Sequence, residues 1–381
     1  LQLEESMLLQ RTTVDYFGQF GTDFFLGEHH TIGFLASGSL QDGDHTGTDN
    51  FLISTIGGPV DSILLAGSTS MTTRNRGEFN LNYRYDPGKG KSLNVDLDYG
   101  TFQNTDLRSQ PNTYVTPDRE TVLTEVNNTF DTPRDIDIYT FKVDYEQPIG
   151  NGQFGAGIRF SQVATKNTFL FFDEVGGLPV QSDRRSNLFD YDENVYAAYL
   201  SYAGKLNEKI SYSAGPRSEN TNAMGTLTAF LDELQEAPVE IDYLSFFPSA
   251  GLTYALNQEK GNTITLNYGR RINRPDYNVL NPFRNQISQL KYERGNPFLR
   301  PEIVNNLELG YTLAYRYNFK LAYSQTSDQI TRLLGPDDFD PRAGSISWDN
   351  LAKQTVVSFN ASLPFTVTKN WDAFANISAS H

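Results

Sequence analysis

Runs that alternate apolar and polar residues recur along this chain, and the connections between them are short and long by turns. Strict alternation places one set of side chains on each face of a strand. In one run Phe79, Leu81, Tyr83 and Tyr85 alternate with Glu78, Asn80, Asn82 and Arg84. In the next, Leu93, Val95, Leu97 and Tyr99 alternate with Asn94, Asp96 and Asp98. A third sets Tyr139, Phe141, Val143 and Tyr145 against Thr140, Lys142 and Asp144. About fourteen such strands can be placed. Tight turns fall near Gly27, Gly88, Gly150, Lys205, Gln258, Arg316 and Thr368, about 50–60 residues apart. Between them lie long connections at residues 41–76, 102–133, 164–193, 221–242, 270–302 and 333–353. A sandwich has no reason to keep the turns short at one end and long at the other, and a propeller would repeat a blade motif. A membrane barrel does, with short periplasmic turns and long extracellular loops. The expected fold is therefore all-β, a transmembrane antiparallel β-barrel. Its apolar face meets lipid, and Asn80, Asn82, Arg84, Asp96 and Asp98 face the lumen.

Composition agrees. None of the 381 residues falls in an apolar run of the roughly 18–20 residues that a transmembrane helix needs. Tyr and Phe are abundant, at 21 and 26, and Tyr tends to fall at strand ends, where aromatic girdles stand. A net charge of −15 speaks against a nucleic-acid partner, which would require a basic patch. The opening LQLEESMLLQ has neither an initiator Met nor the basic and apolar regions of a signal peptide, so a processed or longer parent chain is expected. The histidines, His29, His30, His45 and His381, fall in a turn, an external loop and the last position, too dispersed to share a catalytic site. With no clustered nucleophile and base, the expectation is a protein that is not an enzyme.

Residues 270–302 read RRINRPDYNVLNPFRNQISQLKYERGNPFLRPE, between alternating runs at 263–269 and 306–313. Turn chemistry at Asn281-Pro282 and Gly295-Asn296-Pro297 marks a long structured loop. This stretch, with NNLELGY after it, FFPSAGLTY at 246–254 and AAYLSY at 197–202, resembles the signature region of TonB-dependent outer-membrane receptors, in the β-barrel family found in Bacteroidota. The resemblance implies a 22-stranded barrel with a plug, of which residues 1–381 would be the partial barrel. It implies import of an external ligand across the outer membrane of a Gram-negative bacterium, driven by TonB–ExbB–ExbD through the missing plug. Two alternatives stay open. One is a structural or assembly subunit of an envelope complex, docking a surface lipoprotein or other subunits. The other is a passive diffusion porin, which a constriction loop folded into the lumen would favour. Lipid and lipopolysaccharide are partners in every case.

Several side chains are candidates for contact with a ligand or partner. The aromatic run TFLFFD offers Phe169, Phe171 and Phe172, since exposed aromatic clusters mark interaction sites. The signature loop is basic in an acidic protein, and Arg284, Lys291, Tyr292 and Arg294 could meet anionic groups. The competing and favoured reading is internal pairing of the arginines with Asp276, Glu293 and Glu302. No cofactor is expected, apart from a divalent cation in a loop at Asp42, Asp44 and Asp49, where a solvated acidic loop is the blander reading. Asp337, Asp338 and Asp340 form a similar acidic tip. Pro216 stands where the family has an apolar residue. A bulge or an end of pairing is expected there, leaving the register beyond Gly215 open.

Overall fold

The computed structural model describes residues 2–288, 290–337 and 343–381, so Asp338 and Asp340 lie outside the described residues. Among these residues there is no α-helix. Fourteen long strands zigzag through one antiparallel sheet. They are β1 (Gln2–Leu26), β2 (His30–Ser54), β3 (Val60–Gly88), β4 (Lys91–Val115), β6 (Arg134–Ile149), β7 (Gly152–Val175) and β9 (Asn187–Lys205) in the first half. The second half has β10 (Ile210–Ala229), β11 (Val239–Asn257), β12 (Asn262–Asn273), β15 (Glu302–Leu313), β16 (Tyr317–Pro336), β17 (Gly344–Thr368) and β18 (Trp371–Ser380). Four short strands decorate the extracellular end: β5 (Val122–Asp131), β8 (Leu178–Gln181), β13 (Arg284–Ser288) and β14 (Lys291–Arg294).

The long connections are mostly not loops. Strand β2 runs for 25 residues, roughly 80 Å at the usual rise, where about ten residues cross a bilayer. The surplus continues upward as twisted ribbons, and the β2–β3 ribbon turns only at residues 55–59. The sequence concealed this because the ribbons lack a lipid face, so their alternation is polar on both sides. At the periplasmic end, Lys89 and Gly90 both take positive φ (56° and 74°) between the paired Gly88 and Lys91. That geometry matches the right-handed twist of the flanking strands.

Register fixes the faces. Leu81 lies opposite Leu97, and Asn80 opposite Asp98. Leu81 and Leu97 are exposed at 48% and 47%, as side chains against lipid would be. Asn80, Asn82, Arg84, Asp96 and Asp98 occupy the other face. Asn80 donates to Asp98 at 2.6 Å, Asn82 donates to Asn80 at 2.7 Å, and Arg84 pairs with Asp86 at 2.8 Å. Leu81→Arg is expected to destabilise the barrel by about 2–4 kcal/mol, and Asn80→Arg by far less. Urea midpoints read from heat-modifiable gel mobility check the pair, and equal losses would contradict the face assignment.

Two prolines shape the wall. Pro216 faces Pro248 across β10 and β11. The β9–β10 ladder skips from Ala214↔Tyr202 to Arg217↔Tyr199 and keeps its register, so Pro216 causes neither a bulge nor an end of pairing. Pro248, which has no N–H to give, has the larger consequence. Strand β11 pairs with β12 only from Ser249 toward the periplasmic turn. Above that point β12 pairs with β15 alone as far as Asn273, and the chain then leaves the wall at Arg274-Pro275.

Among the described residues β1 pairs only with β2, and β18 only with β17. The fourteen strands therefore form an open, curved wall.

Candidate ligand chamber beneath the signature loop

Having left the wall, residues 274–301 fold inward as a strap across the barrel mouth. The face each partner occupies establishes this, because every wall residue the strap touches lies on the polar, lumenal side of its strand. Arg274 donates to Glu219 at 2.7 Å and to Thr221 at 3.0 Å on β10. Glu219 also holds Arg217 at 2.7 Å, so one buried carboxylate anchors two guanidinium groups. A 3-10 turn at Tyr277–Val279 follows. Tyr277 packs 5.3 Å from the Tyr191 ring, and Asn281 donates to Asn187 at 3.4 Å on β9. Leu280 and Leu299 are buried among Phe189, Tyr191, Ala223 and Leu227.

The strap then crosses the lumen. Its hairpin β13–β14 receives a hydrogen bond from Gln110 of β4 at the Ile287 carbonyl. Leu290 at the tip joins Phe51, Leu64 and Ala66 of β2 and β3. Strand β14 adds a short parallel ladder to β17, Lys291–Glu293 beside Gly344–Ile346. Arg284 grips Asp337 through two bonds, 2.9 and 2.7 Å, and lies 3.3 Å over the Tyr292 ring. The base of the strap closes through Gly295 N to Asn281 O at 2.9 Å and Asn296 N to Val279 O at 2.7 Å. A Cβ at Gly295 would stand 2.4 Å from Asn281 O, so this close backbone approach requires glycine.

The basic residues of the loop thus act mainly as fasteners, with partners other than those expected. Arg274 takes Glu219, Arg284 takes Asp337, Arg294 takes Glu236 at 3.0 Å, and Arg300 takes Asp328 at 2.6 Å. Asp276, Glu293 and Glu302 are not their partners, because the strap bends toward the wall and not back upon itself. Arg284 and Tyr292, offered as external contacts, are stacked and clamped inside the strap. Lys291 is half-buried in the β17 ladder, and Arg294 is exposed. Of the aromatic run, Phe171 is 0% exposed, held between Arg185 (3.8 Å) and Phe130 (4.9 Å), so it cannot be a surface contact. It is a core residue of an extracellular ribbon. Phe169 is half-buried and faces the lumen, and Phe172 is half-buried on the opposite side. The cation loop is also corrected. Asp42, Asp44 and Asp49 lie along β2, with Asp49 on the other face, and Asp42 is roughly 23 Å from Asp49 along the strand. They cannot converge on one ion.

Between strap and wall is a chamber of about 340 Å³. Its walls include Asp106, Arg108, Arg134, Asn167 and Phe169, and its roof includes Tyr277, Phe283, Gln286 and Glu293. Arg108 pairs with Asp106 at 2.9 Å. Burial raises the pKa of Glu293. Arg134, Asn167 and Gln286 escaped the sequence reading. Alternation marked their strands as two-faced, but only the pairing of distant strands brings them together.

An open wall of fourteen spanning strands, with a polar lumen and a loop across its mouth, is the architecture of an outer-membrane β-barrel. The chain belongs to the outer membrane protein beta-barrel family, whose model matches residues 86–381. Its place is the outer membrane of a Gram-negative bacterium. No curated protein matches the sequence. Among solved structures it is similar to the siderophore receptor PiuA from Acinetobacter baumannii, at 13% identity and a TM-score of 0.52 over 99% of this chain and 63% of that one. It is similar to the ferric-catecholate import receptor Fiu from K12 E. coli, at 10% identity and 0.52, over 98% and 64%. A third similar structure is the copper transporter OprC, at 11% identity and 0.50, over 100% and 61%. The chain thus spans less than two thirds of the length of these structures.

Proposed function

We propose that this chain is the barrel part of a TonB-dependent import receptor, admitting an external ligand through a mouth that its own loop closes. One observation carries the reading. The strap bridges from Glu219 on β10 to Leu64 on β3 and so lies across the mouth of the described wall. A closed mouth over a polar lumen suits energised, ligand-dependent passage. The open sheet edges at β1 and β18 suit a partial barrel, because unpaired backbone is not tolerated in hydrocarbon. In this reading the plug and the segment touched by TonB–ExbB–ExbD belong to the full protein outside these residues. The similar structures, a siderophore receptor, a ferric-catecholate import receptor and a copper transporter, support import of a solute without naming this one.

The in-folded strap also favours a second reading, a diffusion porin with a constriction loop. Planar-bilayer recording and in vivo photo-crosslinking of the full-length protein separate the two. Import predicts no steady open-channel conductance and a crosslink to TonB that depends on the proton-motive force. Steady conductance without a TonB crosslink would mean a porin. Stable subunits co-purifying in fixed ratio, with neither property, would mean an assembly component.

A further inference from the structure

The chamber beneath the strap has an unusual polar inventory. Cross-strand pairing aligns Gln41, Arg74, Asn104, Arg134 and Asn167 in one row over five strands of the lumenal face. Two arginines stand in that row, two strand spacings or roughly 10 Å apart. Arg74 spends its donors on neutral partners, Gln41 and Asn104, each at 3.1 Å. Among the described residues neither Arg74 nor Arg134 forms an ion pair, although the chain carries 46 acidic residues against 31 basic ones. The row is thus a local positive band inside an acidic protein.

Three buried atoms around the chamber lack hydrogen-bond partners: Arg134 Nε, Asn167 Oδ1 and Gln286 Nε2. Gln286 is only 5% exposed, so its free amide is held inside the molecule. Leaving such groups unmet is costly, most of all for a charged one. Two of the three are donors, one of them charged, and they call for an anionic oxygen. Asn167 Oδ1 and the Glu293 carboxylate, which also lines the chamber, call for donors. A phosphate dianion would face Glu293 and Asp106 and be repelled. A singly charged, planar carboxylate suits a guanidinium beside an amide. The aromatic rings of Phe169, Tyr277 and Phe283 complete a partly apolar lining. The space is equivalent to roughly eleven water molecules at about 30 Å³ each.

We propose that the chamber binds a small carboxylate that also carries hydroxyl or amino groups, with its carboxylate on Arg134 and Gln286 and its donors on Asn167 and Glu293. An acidic monosaccharide and a dipeptide share this chemistry. The inference deepens the import reading and rests on it for its purpose, but binding itself requires no transport.

Calorimetric titration of the detergent-purified full-length protein tests it, with galacturonate and alanyl-alanine as probes and glucose and inorganic phosphate as controls. At least one carboxylate probe binds with a Kd of about 1 mM or tighter, and both controls are at least about tenfold weaker. Galacturonate alone identifies an acidic sugar, alanyl-alanine alone a peptide, and both the shared group. Arg134→Gln weakens binding by about tenfold or more, whereas Arg134→Lys, keeping the charge, loses less. Heat-modifiable mobility shows that each variant is folded. Binding of neither probe, binding equal to that of glucose or phosphate, or binding indifferent to Arg134→Gln in a folded protein overturns the proposal. The free atoms would then be met by water alone. Because no step involves TonB, failure here leaves the import reading standing, and failure of import leaves the chamber standing.

Discussion

Arg284→Ala releases the strap from the barrel mouth. The side chain of Asp337 is 4% exposed and receives two bonds from the Arg284 guanidinium. Truncating Arg284 takes two charge-assisted bonds from a buried carboxylate, and the loss of such a bond costs about 1.5–3 kcal/mol. The cost falls where the strap is joined to the β16–β17 ribbon. The closed strap is therefore disfavoured by roughly one to two powers of ten or more relative to open forms. Arg284 also covers the Tyr292 ring, so its loss loosens β14 beside β17. Trypsin added to intact cells reads the result. Cleavage after Lys291, half-buried beside β17, is slow in the parent and becomes fast in the variant. Arg284→Lys falls between, because an ammonium keeps the charge but loses the two-pronged grip. Unchanged protection would mean that the ion pair does not hold the strap.

The second large effect lies at the other anchor. Phe189→Ala removes a side chain that is 1% exposed from the cluster where Leu280 and Leu299 of the strap meet β9 and β10. Large-to-small changes at such sites cost about 3–5 kcal/mol, the lost transfer energy plus the cavity left behind. Phe171→Ala is the informative control. Phe171 is as deeply buried, but it packs on Phe130 and Arg185 in a ribbon and touches no strap residue of that cluster. Both variants should lower the urea midpoint by similar amounts. Only Phe189→Ala should also speed tryptic cleavage of the strap. If both or neither expose the strap, the Phe189 cluster is not its anchor.

Much of this architecture was legible in the sequence because a bilayer imposes period two. Phe79, Leu81, Leu97 and Phe141 must meet lipid, which fixes their strands, their faces and the polar identity of Asn80 and Asp98. Seven short turns then set the hairpins. What escaped was everything above the membrane, where no lipid face disciplines the pattern. The β2–β3 ribbon looked like a loop because Asp42 and Asp44 sit on a face wetted by water. Phe171 looked exposed because local sequence does not reveal that Arg185 folds back over it. The four prolines and the turn chemistry of residues 275–301 marked a long structured loop. Its direction, inward instead of outward, depends on partners far away in sequence. Glu219, Asn187, Gln110 and Leu64 carry no mark that they will receive it. Arg134 is a comparable case, since its unpaired state follows from which strands stand beside it.

Residues 274–301 cross the lumen from β10 to β3. The chain has no cysteine, so a single introduced pair can be read without background. Asn187→Cys and Asn281→Cys replace two side chains that touch at 3.4 Å, one on the wall and one on the strap. Ile56→Cys, at a site 82% exposed on the tip of the β2–β3 ribbon, reports free access from outside. A short bifunctional thiol reagent applied to intact cells should link positions 187 and 281. A bulky maleimide should label position 281 at least about tenfold more slowly than position 56, because a closed strap shields it. No crosslink, together with labelling of position 281 as fast as position 56, would mean that the strap projects outward and the mouth stands open.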